Sequence, residues 1–178
     1  MNWMTRDINK LKEYAKAHGL RVYLRKGKRG SGSAEYTIGK SITLFINSKT
    51  TKQHIILSLL HELGHHLDLV RNGPDDEKTN DAQELLVLGS MDEVRDDIPK
   101  SARKLIYKQE FRGISYMEHL AKYLNLEIDM KEVSLQQKLD IYAYKFFLDK
   151  ARFPTIPEIN KHKKEIKRGK RNRKTSIL

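Results

Sequence analysis

The feature that most restricts the fold of this chain is the run His61-Glu62-Leu63-Gly64-His65, which matches the pattern H-E-x-x-H. Residues four apart on an α-helix lie one turn apart on the same face, so both imidazoles can reach one metal ion. The pattern therefore requires a helix, and residues 51–70 have helical apolar spacing. Thr50 with Gln53 predicts a capping box at its start, and Asn72-Gly73-Pro74 predicts its end.

The residues of this helix divide into two faces. Apolar residues lie together on one side: Ile56, Leu59, Leu60, Leu63, Leu67 and Val70. The opposite side carries His54, Ser58, His61, His65 and Asp68, with no lysine or arginine. A solvated helix face is normally rich in charged residues, so we expect this face to line a metal site. The alternative is a solvated face whose histidines bind nothing.

Four residues beside the two histidines receive separate interpretations. Glu62 is not a ligand in this pattern; it is expected to take a proton from a metal-bound water as general base. His66 points to another side of the helix and is predicted to be a packing or surface residue rather than a ligand. His54 lies two turns upstream of His61, roughly 10 Å away, and is predicted to be solvated; the alternative is a contact with substrate or with a group that supports the metal ligands. Asp68 is a candidate partner for the second imidazole nitrogen of the nearer histidine.

Gly64 lies in the middle of this helix, where a glycine destabilises by roughly 1 kcal/mol relative to alanine. Such a glycine often permits the close approach of another backbone or of a ligand. Two interpretations remain open: a close contact at Gly64, or helix strain that the fold tolerates.

A catalytic zinc site needs a third protein ligand. The H-E-x-x-H-x-x-G-x-x-H extension of metzincins is absent, so we expect a carboxylate from a second helix. The candidates are Glu84, Asp92, Glu93, Glu110 and Glu118. We predict Glu110, because its neighbours on a helical face are apolar or small and a carboxylate there is costly to bury unless a cation receives it. These neighbours are Ile106, Tyr107, Gly113 and Ile114.

The order of elements predicts an α+β fold. Residues 4–18 have helical spacing and precede three short segments rich in β-branched and aromatic residues, at 21–27, 34–39 and 42–47. A Gly/Ser-rich loop is predicted to join the first two segments as a hairpin. The expected architecture is an N-terminal helix, a small three-stranded sheet, the histidine helix and a helical C-terminal half.

The C-terminal half contains three further predicted helices. Within the acidic stretch 75–97, a short helix is predicted to be capped by Asn80. Longer helices are predicted over 99–124 and over 134–151, where Ser134 begins a second capping box.

The end of the chain differs in composition from the rest. Pro154 and Pro157 follow the last predicted helix, and residues 161–174 contain nine basic residues and one acidic residue. We predict one domain over 1–153 and a basic, flexible tail over 154–178. Clusters of Lys and Arg neutralise phosphates, so the tail predicts a contact with nucleic acid or, equally, a disordered solubilising end.

Composition excludes several classes of protein. The 178 residues include no cysteine, which excludes a disulfide-stapled fold, a thiol nucleophile and a cysteine-based zinc site. The N-terminus has no apolar core of a signal peptide, and no run of 18 apolar residues could span a membrane. We therefore expect a cytoplasmic protein without a membrane partner. The net charge of +12 invites an acidic partner but does not identify one.

Residues 42–69 resemble the core of the ImmA/IrrE-type zinc metallopeptidases and of similar short proteins from phages and mobile elements. In that family a small sheet precedes the H-E-x-x-H helix, and a second helix supplies a glutamate in the pattern E-x-x-A-x-x-F/Y. The run from Glu110 to Tyr116 fits this pattern, with Gly113 in the small position. The resemblance covers roughly residues 20–125. Two departures are a longer stretch between the two motifs and the lack of an evident helix-turn-helix module.

The resemblance implies a minimal zincin-like (gluzincin) fold and selective cleavage of a regulatory protein. The expected function is a zinc metallopeptidase in which His61, His65 and Glu110 bind Zn²⁺. Glu62 would activate water, and the substrate chain would lie along an edge strand at 42–47. The alternative is a nucleic-acid-associated binding protein whose metal site is structural or vestigial.

Overall fold

A computed structural model of the chain describes residues 3–26, 34–37, 39–87 and 94–175. They form an α+β, mostly helical fold, as predicted. The elements are α1 (Trp3–Ala17), β1 (Arg21–Lys26), β2 (Ala34–Thr37), β3 (Ser41–Ile46), α2 (Lys52–Asn72), α3 (Glu77–Val87), α4 (Lys100–Ser115), α5 (Met117–Tyr123), α6 (Met130–Lys150) and α7 (Ile156–Thr175). In this described part of the chain, no helix combines the length and the apolar character that crossing a membrane requires.

The chain divides into two compact units, which we describe separately. Unit 1 comprises Met1–Pro74 and Phe111–Ser134, and unit 2 comprises Asp75–Glu110 and Leu135–Leu178. Helix α4 is continuous along the chain, so its last turn belongs to unit 1 and the rest of it to unit 2. The predicted domain limit at residue 153 stays a prediction.

The sheet of unit 1 has the strand order β1-β3-β2. Strand β1 pairs with β3 in parallel, and β2 pairs with β3 in antiparallel orientation. The first two strands therefore do not pair with each other, and the predicted hairpin was wrong; its loop, 28–33, lies outside the described residues. Strand β3 is central, so the prediction that 42–47 is an edge strand was also wrong.

Burial explains why β3 takes the central position. Ile42, Thr43 and Leu44 are three consecutive buried residues of this strand, whereas five of the six residues of β1 are exposed. A strand with neighbours on both sides loses more surface to the fold, so the most apolar of the three segments gains most by lying between the other two.

The core of unit 1 comes from α1, β3 and α2. Its buried apolar residues include Leu11, Ala15, Ile42, Leu44, Ile56, Leu59, Leu60 and Leu63. The predicted apolar face of α2 is thus largely buried, although Val70 is exposed. The buried carboxylate of Asp7 accepts hydrogen bonds from the backbone N–H groups of Glu127 (3.0 Å) and Ile128 (2.9 Å), which fixes α1 to the segment after α5.

The start of α2 differs from its prediction by one residue. The N-cap is Thr51, whose side chain accepts a hydrogen bond from the backbone N–H of His54 at 3.1 Å. The hydroxyl of Thr50 instead accepts one from the backbone N–H of Asn47 at 2.9 Å, within the turn that precedes the helix. The predicted end is confirmed, because Gly73 caps the helix with φ +80°.

Two other helices begin earlier than predicted. Helix α3 begins after Asp76, whose carboxylate accepts a hydrogen bond from the backbone N–H of Thr79 at 2.8 Å, so Asn80 is not its cap. Helix α6 begins after Asp129, which likewise accepts a backbone hydrogen bond from the first turn, so the predicted start at Ser134 was wrong. In both helices, an aspartate directly before the first turn provides the cap.

The single helix predicted over 99–124 is divided into α4 and α5. Tyr116 lies between them, and its backbone N–H bonds the carbonyl of Gly113 at 3.1 Å. This bond spans three residues rather than four, as in a 3₁₀ turn that closes a helix. The break falls at the last residue of the run that carries the second motif.

Unit 2 has a separate core and includes the basic C-terminal helix. The core consists of Ala82, Leu86, Ile98, Ile106 and Phe147. Residues 156–175 form α7, which was not predicted. Its start is stabilised by Glu158, whose carboxylate accepts hydrogen bonds from the backbone N–H (2.7 Å) and the hydroxyl (2.9 Å) of Thr155. Pro157 lies in the first turn, where a missing N–H breaks no helical hydrogen bond, so it starts a helix instead of preventing one.

Candidate metal centre

Helix α2 presents His61 and His65 one turn apart, both partly buried. Their Nε2 atoms are 3.1 Å apart. Two nitrogens that bind one tetrahedral zinc ion at about 2.0–2.1 Å are separated by about 3.3–3.4 Å. The two imidazoles therefore already have nearly the spacing that one ion requires.

Glu110 of α4 is the third member of this group. His61, His65 and Glu110 each offer one ligand atom, and these atoms all lie within 4.8 Å of one another. Glu110 is a buried residue, 7% exposed. The group could hold a metal ion, and a cation would offset the cost of burying this carboxylate.

Two glycines permit the close contact of α2 with the last turn of α4. A Cβ atom added at Gly64 would lie 2.1 Å from the carbonyl oxygen of Gly113. A Cβ atom added at Gly113 would lie 2.5 Å from Nδ1 of His65. Gly64 therefore makes a close backbone contact, the first of its two interpretations, and Gly113 leaves room for the imidazole of His65.

Asp68 ties the same two helices together. The residue is 5% exposed. Its carboxylate accepts hydrogen bonds from Nε of Arg112 at 2.8 Å and from the amide of Asn72 at 2.7 Å. The sequence made Asp68 a candidate partner of His65, but its carboxylate instead binds Arg112, two residues after Glu110. This pair fixes the C-terminal end of α2 against the end of α4.

The two remaining histidines of α2 lie outside the group. His66 is buried and packs near His18, with 5.9 Å between ring centroids. Burial, and secondly the neighbouring His18, lower the pKa of His66, so it is neutral near pH 7. Of the two roles predicted for it, packing residue and surface residue, the structure shows the first. His54 is exposed, as predicted, with Nε2 3.4 Å from the hydroxyl of Ser58.

Of the other candidates for the third ligand, Glu84 and Glu118 are described by the structure, and neither is part of this group. Glu84 is exposed on α3. Glu118 of α5 pairs with Lys122 at 3.8 Å. Asp92 and Glu93 lie outside the described residues. Among the candidates that the structure describes, only Glu110 comes close to both imidazoles.

A residue that the sequence analysis did not consider contacts Glu110. The side-chain amide of Gln83, on α3, donates a hydrogen bond to Oε1 of Glu110 at 3.2 Å. Gln83 follows Glu77 by six residues in an acidic helix, and no spacing rule connects it with a residue 27 positions later. The only hint in the sequence is an amide among carboxylates, which is too common to predict a contact.

The chemistry of the three residues fits a zinc ion. Two imidazole nitrogens and one carboxylate oxygen form a donor set of catalytic zinc sites, which keep a fourth position for water or substrate. The pair of nitrogens has nearly the required separation, and the carboxylate of Glu110 offers the third ligand atom. Glu62, partly buried, directly follows His61 in α2.

No family model, curated protein or solved structure matches this chain. The similarity to ImmA/IrrE-type metallopeptidases therefore remains a prediction based on the two motifs. The function has to be argued from the geometry and chemistry of the site.

Proposed function

We propose that the protein is a zinc-dependent metallopeptidase. The observation that supports this most strongly is the group of His61, His65 and Glu110, whose ligand atoms lie within 4.8 Å of one another on two helices in close contact. A glutamate placed between two metal-binding histidines is the arrangement of H-E-x-x-H peptidases. The chemistry therefore requires Glu62 in addition to the three ligands.

The residues of the site have separate roles in this proposal. His61, His65 and Glu110 bind the ion. When bound, zinc would lower the pKa of water and polarise a carbonyl group. Glu62 accepts a proton from the attacking water and then donates it to the leaving amine, so that one carboxylate acts as base and as acid.

The substrate would be an extended segment of a regulatory protein in the cytoplasm. Because β3 is central, the segment would pair with an edge strand, and β2 is the edge strand that contacts α2. Pairing of main chains gives affinity with little dependence on side chains. Selectivity would therefore come from pockets for alternate side chains.

The basic helix α7 supports a second candidate, a nucleic-acid-associated protein with a structural or vestigial metal site. Residues 161–174 carry nine basic residues and one acidic residue, and such clusters neutralise phosphates with little sequence selectivity. Reversing the charge at Lys164, Lys167 and Arg168 should then weaken binding to duplex DNA and reduce its salt dependence. Unchanged DNA binding by this variant would contradict the second candidate.

The substitution Glu62→Gln tests the metallopeptidase. We expect the variant to keep its zinc and to lose hydrolysis of quenched fluorogenic peptides, because an amide cannot accept the proton of water. Glu118→Gln is the matched control and should keep both properties. Equal turnover by Glu62→Gln would exclude Glu62 as the general base, and a zinc-loaded wild type without any hydrolysis would favour the second candidate.

A further inference from the structure

A chain of hydrogen bonds within unit 2 ends on the carboxylate of Glu110. The amide of Gln109 donates to Oδ2 of Asp75 at 2.5 Å. The amide of Gln83 donates to the side-chain oxygen of Gln109, and also to Oε1 of Glu110 at 3.2 Å. The four side chains are partly or fully buried.

The chemistry of these groups fixes the direction of the chain. An ionised carboxylate only accepts hydrogen bonds, so Asp75 requires Gln109 to present its NH₂ group. The oxygen of Gln109 then faces Gln83 and accepts from it. Gln83 must therefore present its NH₂ group as well, and that group also reaches Glu110. The carboxylate of Asp75 thus determines, through the amides of Gln109 and Gln83, that an N–H group faces Glu110.

We propose that Gln83 is a positioning residue for the metal ligand Glu110, and that Gln109 and Asp75 hold its amide in the required orientation. The inference rests on the proposed metal centre. A hydrogen bond to Oε1 limits rotation of the carboxylate, so less freedom is lost when the ion binds. Helix α3, in the acidic stretch, would thereby support the centre without supplying a ligand.

A purely structural role for the same bonds predicts a different result. If the amides only hold α3 against α4, their removal lowers the stability of the metal-free protein and leaves the zinc affinity of the folded protein unchanged. If Gln83 positions Glu110, the affinity falls even where the metal-free protein remains folded. Zinc affinity and metal-free stability therefore have to be measured on the same samples.

The experiment compares Gln83→Met with Gln136→Met in the full-length protein. The side chain of methionine has a volume similar to that of glutamine and carries no N–H donor. Gln136 is the matched control, because its amide also donates to a carboxylate, that of Asp140 at 2.7 Å, which is not one of the three ligands. We measure the zinc Kd by competition with a chelator and the unfolding midpoint without metal.

We expect Gln83→Met to bind zinc about 10- to 100-fold more weakly and Gln136→Met to bind it like wild type. Gln109→Met, which removes only the group that orients Gln83, should weaken binding in the same direction but less. It keeps the proposal testable if Gln83→Met does not fold. A zinc Kd within about twofold of wild type for both Gln83→Met and Gln109→Met would overturn the inference. Failure of the wild type to bind zinc is a distinguishable result, because it would overturn the metal centre itself.

Discussion

Helices α2 and α7 are of similar length but are held in place by different means. Helix α2 buries Ile56, Leu59, Leu60 and Leu63 completely and contacts α4 through Gly64. In helix α7, by contrast, no residue from 156 to 169 is buried, and its neighbours in α6 and the preceding turn include polar and aromatic groups. Arg152 binds Glu158 at 2.9 Å, and the rings of Tyr142 and His162 stack at 3.9 Å.

This difference teaches what each helix can do. Apolar burial of the order of 25 cal/mol per Å² holds α2 in one position, so its histidines keep the spacing that a metal ion needs. The side chains of Arg152 and Glu158 are 33% and 32% exposed, and ion pairs open to solvent contribute about 0–1 kcal/mol and are screened by salt; we therefore expect α7 to be attached more weakly. We therefore expect metal ligands on a helix that apolar burial holds in place, such as α2. The predictions below test this difference between α2 and α7.

The largest expected effect separates two adjacent histidines of α2. His65→Ala should weaken zinc binding by roughly 100- to 1,000-fold, if a binding free energy of about 10–16 kcal/mol is shared among about four ligands. His66→Ala should leave the zinc Kd unchanged and lower the free energy of unfolding by about 0.5–3 kcal/mol, because it removes a buried side chain. Chelator competition and urea unfolding measure the two quantities. Equal zinc loss in both variants would mean that α2 has no distinct ligand face.

A glycine-to-alanine substitution should have opposite effects in the two helices. Gly64→Ala should destabilise by about 1–3 kcal/mol, because its Cβ would collide with the backbone of α4. Gly169→Ala in α7 meets nothing within 4 Å and should stabilise by up to about 1 kcal/mol, through higher helix propensity. Thermal unfolding of both variants checks the signs. A stabilising Gly64→Ala would show that the contact of α2 with α4 is looser than described.

The same contrast explains what the sequence could predict. The H-E-x-x-H spacing and the apolar side chain pattern of α2 are local, so the helix, its end at Gly73 and the position of His66 away from the face of His61 and His65 followed from them. That Glu110 lies near the two imidazoles was also predictable, because an apolar face around a carboxylate is visible in the sequence; its role as a ligand stays a prediction. The cap of α2 was misplaced by one residue because Thr50 and Thr51 are chemically equal candidates, and the structure alone shows which one bonds the helix.

The features that were not predicted from the sequence fall into two groups. Helix α7 had a local signal, since Thr155 and Glu158 have capping-box spacing with Pro157 in the first turn, but the basic composition obscured it. The strand order β1-β3-β2 and the contact of Gln83 with Glu110 join segments distant in sequence. No local pattern specifies such pairs, because burial of the whole unit decides them.

The smallest expected effect concerns the attachment of α7 and its dependence on pH. Hydrogen bonds from Arg152, and then from Thr155, lower the pKa of Glu158 from 4.5 to about 2. Since the folded pKa lies below the ordinary one, this contribution is fully present above about pH 4.5 and is lost as the pH falls toward 2. Amide hydrogen exchange at the start of α7 should therefore increase over this range, beyond the intrinsic change in exchange rate.

The control for this prediction is Glu158→Gln, which cannot titrate. Its protection at the start of α7 should be lower than that of wild type at pH 6 and should change little between pH 5 and pH 2. If wild type and variant lose protection in parallel, the ion pair does not determine the attachment of α7.

The central claim is that two histidines of α2 and one glutamate of α4 bind a single zinc ion. The most direct test is the zinc stoichiometry and Kd of wild type, Glu110→Ala and Glu84→Ala, measured by chelator competition on metal-free protein. We predict one zinc per wild-type chain, a Kd raised roughly 100-fold or more in Glu110→Ala, and no change in Glu84→Ala, whose carboxylate is exposed. Wild-type affinity in Glu110→Ala would contradict the claim.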